Sequence, residues 1–203
     1  MSRQPGTQRQ QRFRVAIVGD GQTERIYFSD VRDTDRPANL AIFPDYPGKI
    51  GDYRGVLDRA TTLLDAYNRV YALTDMDTII RQEQLPAYNQ AKASAQAAGI
   101  IVLENNPCFE IWFLLHFLQT GRLFNNCDEV SAELRKNNRI PGYDKSEKFL
   151  KNARLYHRHK DRLINHAIPN ANLLENDREG KSPFYPRAQT SQFFSWYFNQ
   201  IPP

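Results

Sequence analysis

Two aspartates separated by one residue, Asp75 and Asp77, close the stretch RVYALTDMD at residues 69–77. Val-Tyr-Ala-Leu reads as a buried strand. Within a strand, residues i and i+2 share a face, but just past its end the loop can carry both carboxylates toward one divalent cation. Hard oxygen ligands in this number suit Mg²⁺ or Mn²⁺, which keep several waters and use one or two carboxylates. The same residues also suit a cap on the following turn, where Asp is common.

Other carboxylates fall at comparable places. Asp20 lies in VGDGQTE, with a glycine on either side that lets the backbone approach a ligand or phosphate closely. A plain strand-to-helix turn capped by Asp or Thr accounts for it equally. The stretch is no P-loop, since no Gly-Lys-Ser/Thr follows, and no dinucleotide fingerprint, since Glu24 occupies the place of the third glycine. Glu24 in a first helical turn favours the helix dipole, and this ordinary role stands beside a catalytic one. Glu110 and His116 are six positions apart on one apolar helix, so they do not share a face. Glu110 at that helix's start can point into a strand-end cleft beside Asn105. His116 suits a hydrogen-bonded core position or a base, and Cys108 a small buried one.

The elements that would position these groups alternate. FRVAIV (13–18), Leu40–Phe43, Arg69–Thr74 and IIVL (100–103) read as strands. Helical spacing over 22–31, 53–67 and 84–98 separates them. Strands that are continuously apolar rather than alternating predict a parallel sheet covered on both faces. Ligands of such sheets bind beyond the carboxyl ends of the strands, where Asp20, Asp75, Asp77 and Glu104 fall. Next comes NNPCFEIWFLLHFL (105–118), read as a buried helix with Asn106 as cap and Pro107 at its first position. Beyond Gly121 the spacing predicts helices over 128–136, 146–166 and 188–199. The second of these is basic, with Lys148, Lys151, Arg154, Arg158 and Lys160. It reads either as a solvated face or, with Lys145, as a phosphate-contacting ridge, with Tyr143 and Tyr156 available for stacking. The expected organisation is a loose basic tail at 1–12, an α/β core of four mostly parallel strands at 13–120, and a helical extension packed on it at 121–203.

Composition bounds the function. A 203-residue chain that is 40% apolar and 12% aromatic folds into a core. No apolar run approaches the ~18 residues a bilayer demands, and the polar start MSRQPGTQRQQR lacks a signal-peptide h-region. Two cysteines are too few for a disulfide framework, so a reduced, cytoplasmic protein is the expectation. A net charge of +4 and a pI near 9.1 favour anionic partners, nucleic acid among them.

Three segments, VGDGQTERIYF, ALTDMD and NNPCFEIWFLLHF, resemble the RloB-like family of phage-resistance proteins. The last block carries most of the likeness, at Asn106, Pro107, Phe109, Glu110, Trp112, Leu114, Leu115, His116 and Phe117. The similarity runs through 13–150 and fades beyond, with Tyr143-Asp144-Lys145 and Ser182-Pro183 as remnants. RloB-like proteins are similar to the Toprim fold, in which a Glu after the first strand and an Asp-x-Asp after a later one bind Mg²⁺ for phosphoryl transfer. The resemblance therefore implies a Toprim-like fold with Asp75 and Asp77 as metal ligands. The family's glutamate falls on Asp20, one methylene shorter, which either binds through water or yields the role to Glu24. Glu110 and His116 become supporting catalytic candidates. The activity implied is a Mg²⁺- or Mn²⁺-dependent nuclease serving antiphage defence. The alternative is a non-catalytic subunit binding nucleic acid or a partner ATPase, possible as a homo-oligomer.

Overall fold

The computed structural model describes residues 12–46, 48 and 51–201. Residues 1–11 of the expected tail lie outside the described residues. The chain alternates as the apolar pattern predicts: β1 (Phe13–Val18), α1 (Gln22–Asp35), β2 (Leu40–Asp45), α2 (Tyr53–Thr61), β3 (Arg69–Asp75), α3 (Asp77–Arg81), α4 (Leu85–Ala97) and β4 (Ile101–Asn106). The sheet order is β2-β1-β3-β4-β5, the first four strands parallel. β5 (Arg187–Ala188) pairs antiparallel with Asn105 and Asn106. The sheet therefore has five strands rather than four. The fifth is two residues long, too short to leave a periodic signal, and is recruited by the far end of β4. The whole is a Rossmann-like α/β arrangement with helices on both faces and a helical C-terminal part.

From β1 the chain moves outward to β2 and then crosses back to β3 on β1's other side. This reversal opens a crevice beyond the carboxyl ends of β1 and β3. Two apolar clusters fill the faces. Tyr71, Leu73 and Leu103 join Tyr27, Phe28, Trp112 and the C-terminal helices. Ala72, Met76 and Val102 join α2 and α4 on the other face.

The C-terminal part is α5 (Glu110–Leu114), α6 (Cys127–Leu134), α7 (Glu147–Ala153), α8 (Leu155–His159), a π turn at Leu163–Ala167, α9 (Ile168–Asn176) and α10 (Thr190–Phe198). It shares the core with the sheet. Phe194 of α10 stacks on Trp112 at 5.3 Å and on Tyr156 at 5.9 Å. The Trp112 indole donates to Tyr27 Oη at 3.0 Å.

Two helices differ from the sequence-based expectation. β4 runs on to Asn106 because β3 pairs with it as far as Asp75↔Asn105, so α5 begins only at Glu110. Asn106 caps nothing; its amide donates to the carbonyls of Pro183 and Tyr185. The basic helix expected over 146–166 is broken at Arg154, which adopts φ 44° between α7 and α8. There the Arg154 guanidinium reaches Asp30 of α1 at 3.1 Å, and the His157 N–H donates to the same carboxylate at 3.0 Å. These contacts to α1 outweigh continued helix.

Candidate active site: a cleft of carboxylates beyond β1 and β3

The turn Gly19-Asp20-Gly21 leads from β1 into α1, and Glu24 in the first turn folds back over it. A Cβ at Gly19 would stand 2.7 Å from Glu24 Cβ, and one at Gly21 2.8 Å from Glu24 Oε2. Both glycines leave room for Glu24 itself. Beyond β3, Asp75 Oδ1 accepts the Phe109 N–H at 2.8 Å. The Pro107 carbonyl accepts from Met76 N and Asp77 N at 3.1 and 3.0 Å, clamping Asp-Met-Asp onto the Asn-Pro-Cys-Phe segment. Glu110, only 2% exposed, accepts from Tyr143 Oη at 3.0 Å and pairs with Lys145 Nζ at 2.9 Å. The Lys145 carbonyl in turn accepts from the Gln22 amide, tying this loop to the start of α1.

Asp20, Glu24, Asp75, Glu110 and Lys145 line one cleft of about 480 Å³. Among the described residues lining it, Lys145 is the one cation. Burial, reinforced by the charges of Glu110 and Asp20, pushes the Glu24 carboxyl up to about 7; its backbone hydrogen bond and Lys145 pull the other way. Asp75 is raised well above the usual range, first by removal from water and then by Glu24, Glu110 and Asp77. Asp20, half-buried at the rim, is raised by burial and by Asp52 and Asp77. Carboxylates held together against their own repulsion make a site that gains from a divalent cation.

The predicted residues divide. Asp20, Glu24, Asp75 and Glu110 meet in the cleft. Asp77 is felt electrostatically but turns aside: Oδ1 accepts the Thr78 N–H at 2.6 Å, and Oδ2 pairs with Arg81 at 3.0 Å. Of the two aspartates of Asp-x-Asp, Asp75 lines the cleft while the Asp77 side chain is taken up by Thr78 and Arg81 in the first turn of α3. His116 lies outside the cleft. Its Nδ1–H donates to the Trp112 carbonyl at 2.9 Å, and burial pushes it down to about 4, so it is a neutral core histidine. Glu104 faces the opposite side of the sheet, with Lys92 Nζ at 2.6 Å and Arg187 against it.

The expected basic ridge also disperses. Lys145 belongs to the cleft, Lys151 pairs with Glu147, Arg154 with Asp30 and Lys160 with Asp35. Lys148 and Arg158 line a separate groove of about 520 Å³. Tyr143 and Tyr156 are 1% exposed and unavailable for stacking on bases; they donate to Glu110 and Asp35. The cysteines are not reduced: Cys108 and Cys127 form a disulfide with Cα atoms 5.7 Å apart. Their pairing closes the loop between the segment before α5 and the start of α6, and Cys127 Sγ lies 3.0 Å from Lys145 Nζ. Tyr143 and Lys145 had no signal as cleft residues beyond the Tyr-Asp-Lys run, because the loop that delivers them is fixed by tertiary contacts. Among the described residues no helix is long and apolar enough to cross a membrane.

No curated protein and no solved structure matches the chain. The family model described as RloB-like protein matches residues 15–193, reaching past the sequence likeness into α10. A match spanning the sheet, the carboxylate cleft and most of the helical part places this chain in the RloB-like family.

Proposed function

We propose that the protein is a divalent-cation-dependent phosphodiesterase acting on nucleic acid in antiphage defence, with the carboxylate cleft as a Toprim-like active site. The observation that supports this most directly is the gathering of Glu24, Asp75 and Glu110 beyond β1 and β3 with Lys145 the one ammonium among the described lining residues to offset them. Such a donor set fits Mg²⁺ or Mn²⁺: oxygen ligands only, several carboxylates, and an excess of negative charge. Glu24 and Asp75 would hold the ion, with Asp20 at the rim in reach through water. When bound, the ion polarises a phosphoryl oxygen and lowers the pKa of the attacking water.

The chain's own groups do the rest. Glu110 is fixed by Tyr143 and orients Lys145, whose ammonium offers a positive contact to a phosphate. Asp20, at the rim and its carboxyl raised by burial and by Asp52 and Asp77, suits the removal of a proton from water as the new P–O bond forms. The P–O bond to the departing sugar oxygen then breaks. Asp77, by holding Arg81 and the start of α3, sets the position of the segment bearing Asp75.

Asp75→Asn keeps the oxygen that accepts from Phe109 and removes the charge. It is expected to abolish Mg²⁺- or Mn²⁺-dependent cleavage of DNA and of tRNA while leaving the circular dichroism spectrum intact. Cleavage retained by the purified variant would sink the proposal. The turning aside of Asp77 favours one second reading, a non-catalytic subunit that binds nucleic acid or an ATPase. Metal binding without cleavage of either substrate by the wild type would support it.

A further inference from the structure

On the opposite face of the sheet, at the same carboxyl edge, lies a cavity of about 580 Å³ between α4, α9 and the 178–189 segment. Lys92, Arg178, Lys181 and Arg187 line it against two carboxylates, Glu104 and Glu175. Its inner wall is built rather than incidental. Glu104 is 3% exposed and lies between Lys92 Nζ, at 2.6 Å, and the Arg187 guanidinium, itself 8% exposed. One buried carboxylate between two cations leaves net positive charge in a low-dielectric wall, which is costly without a further anion. Among the described residues the Nε–H of Arg187 is buried without a hydrogen-bond partner, as is the Oε2 of Glu104 against which the guanidinium lies. The loop that forms the other wall is anchored, since the Asn106 amide holds the carbonyls of Pro183 and Tyr185 at 3.0 and 2.8 Å. At the mouth stand Arg178 and Lys181, with Glu175 3.5 Å from Arg178 as the opposing charge.

We infer that this cavity is a phosphate-binding site, taking the phosphate of a free nucleotide or of a nucleic-acid strand. Two guanidinium forks and two ammonium groups converging on one polar cavity supply the several charge-assisted donors that a phosphate's oxygens accept. An aliphatic carboxylate would satisfy fewer of them. The site is separate from the carboxylate cleft. Strand alternation turns Asp75 to the α1 face, while Met76 and Glu104 face this cavity. Its occupancy therefore does not depend on the phosphodiesterase reading.

The test is calorimetric titration of the full chain with pyrophosphate, ATP, and a short single-stranded oligonucleotide with and without a 5′-phosphate. The double variant Arg178→Ala/Lys181→Ala alters only the mouth and leaves the buried ion cluster in place. The wild type is expected to bind pyrophosphate, and the double variant to bind it about tenfold more weakly or less, from the loss of two charge-assisted contacts. Asp75→Asn should bind it as the wild type does, even if that variant shows the cleavage proposal to be wrong. Arg187→Gln, checked for folding by circular dichroism, should weaken binding at least as much. ATP binding above pyrophosphate points to a free nucleotide. Preference for the 5′-phosphorylated strand points to a strand end, and equal binding of both strands to internal phosphates. Absence of binding by every phosphorylated probe, or binding that the double variant leaves unchanged, would overturn the inference.

Discussion

If the cleft holds carboxylates out of water and, secondarily, against their own repulsion, neutralising one should stabilise the protein at the expense of its chemistry. Glu24 is the clearest test, being 5% exposed and raised from 4.5 to about 7. The sign follows from linkage. Below pH 4.5 the carboxyl is protonated in both states and costs nothing. As pH rises through the window from 4.5 to about 7, the unfolded chain releases the proton while the folded protein retains it, so stability falls. At about 1.4 kcal/mol per pH unit, the full penalty above neutrality is on the order of 3 kcal/mol. Glu24→Gln preserves the shape that fits over Gly19 and Gly21 and removes the charge. Urea unfolding at pH 8 without divalent cations should show the variant more stable than wild type by about 2–3 kcal/mol, or roughly 5–10 °C in melting temperature for a chain of this size. At pH 4 the two should converge. Mg²⁺ should then stabilise wild type by mass action, about 2.7 kcal/mol at a hundredfold excess over its Kd, and the variant distinctly less. A folded Gln variant that is no more stable than wild type at pH 8 would refute the cost of the buried charge, and with it the physical case for a cation in the cleft.

Gly19→Ala places a methyl 2.7 Å from Glu24 Cβ, so it should destabilise by about 1–3 kcal/mol in urea unfolding and lower cleavage by displacing Glu24. Arg154→Ala removes the contacts to Asp30 and Thr34; discounted for the exposed guanidinium, the loss should be about 1–2 kcal/mol, with nucleic-acid affinity unchanged in a filter-binding assay. His116 is held down near 4, so its contribution is present above pH 6.5 and lost as pH falls toward 4. Wild type and His116→Phe share every other titrating group, Asp20 and Asp75 included. The difference in unfolding free energy between them should therefore shift toward the Phe variant as pH falls from 6.5 to about 4, and a difference independent of pH would refute the buried neutral histidine.

How much of this was legible in the sequence depends on whether the deciding contact was local. Unbroken apolar strands separated by amphipathic helices sufficed for a parallel sheet, and strand ends sufficed to place Asp20 and Asp75 at one crevice. For His116 the sequence left a core position and a base side by side, and the structure takes the first: α5 ends at Leu114, and the imidazole is hydrogen-bonded to the Trp112 carbonyl. What failed was register and parity. Glu104 sits at a strand end as Asp75 does, but the pairing Asp75↔Asn105 puts Asn105 on the side of Asp75 and turns Glu104 to the other. A single sequence does not reveal which residues pair across two parallel strands, because the connection between them is a helix and not a turn. Arg154 shows the same limit: nothing in its neighbours forbids a continuous helix, and only Asp30, 124 positions away, draws it into the left-handed region. The two glycines beside Asp20 are the instructive intermediate. They were legible as a place of close approach, and close approach is what they provide. The group that approaches is Glu24, the residue standing where a dinucleotide fingerprint has its third glycine. A nucleotide-binding turn with that position filled by a carboxylate repels phosphate and invites a cation. The substitution that excluded one chemistry from the turn is therefore the one that brings the other into it.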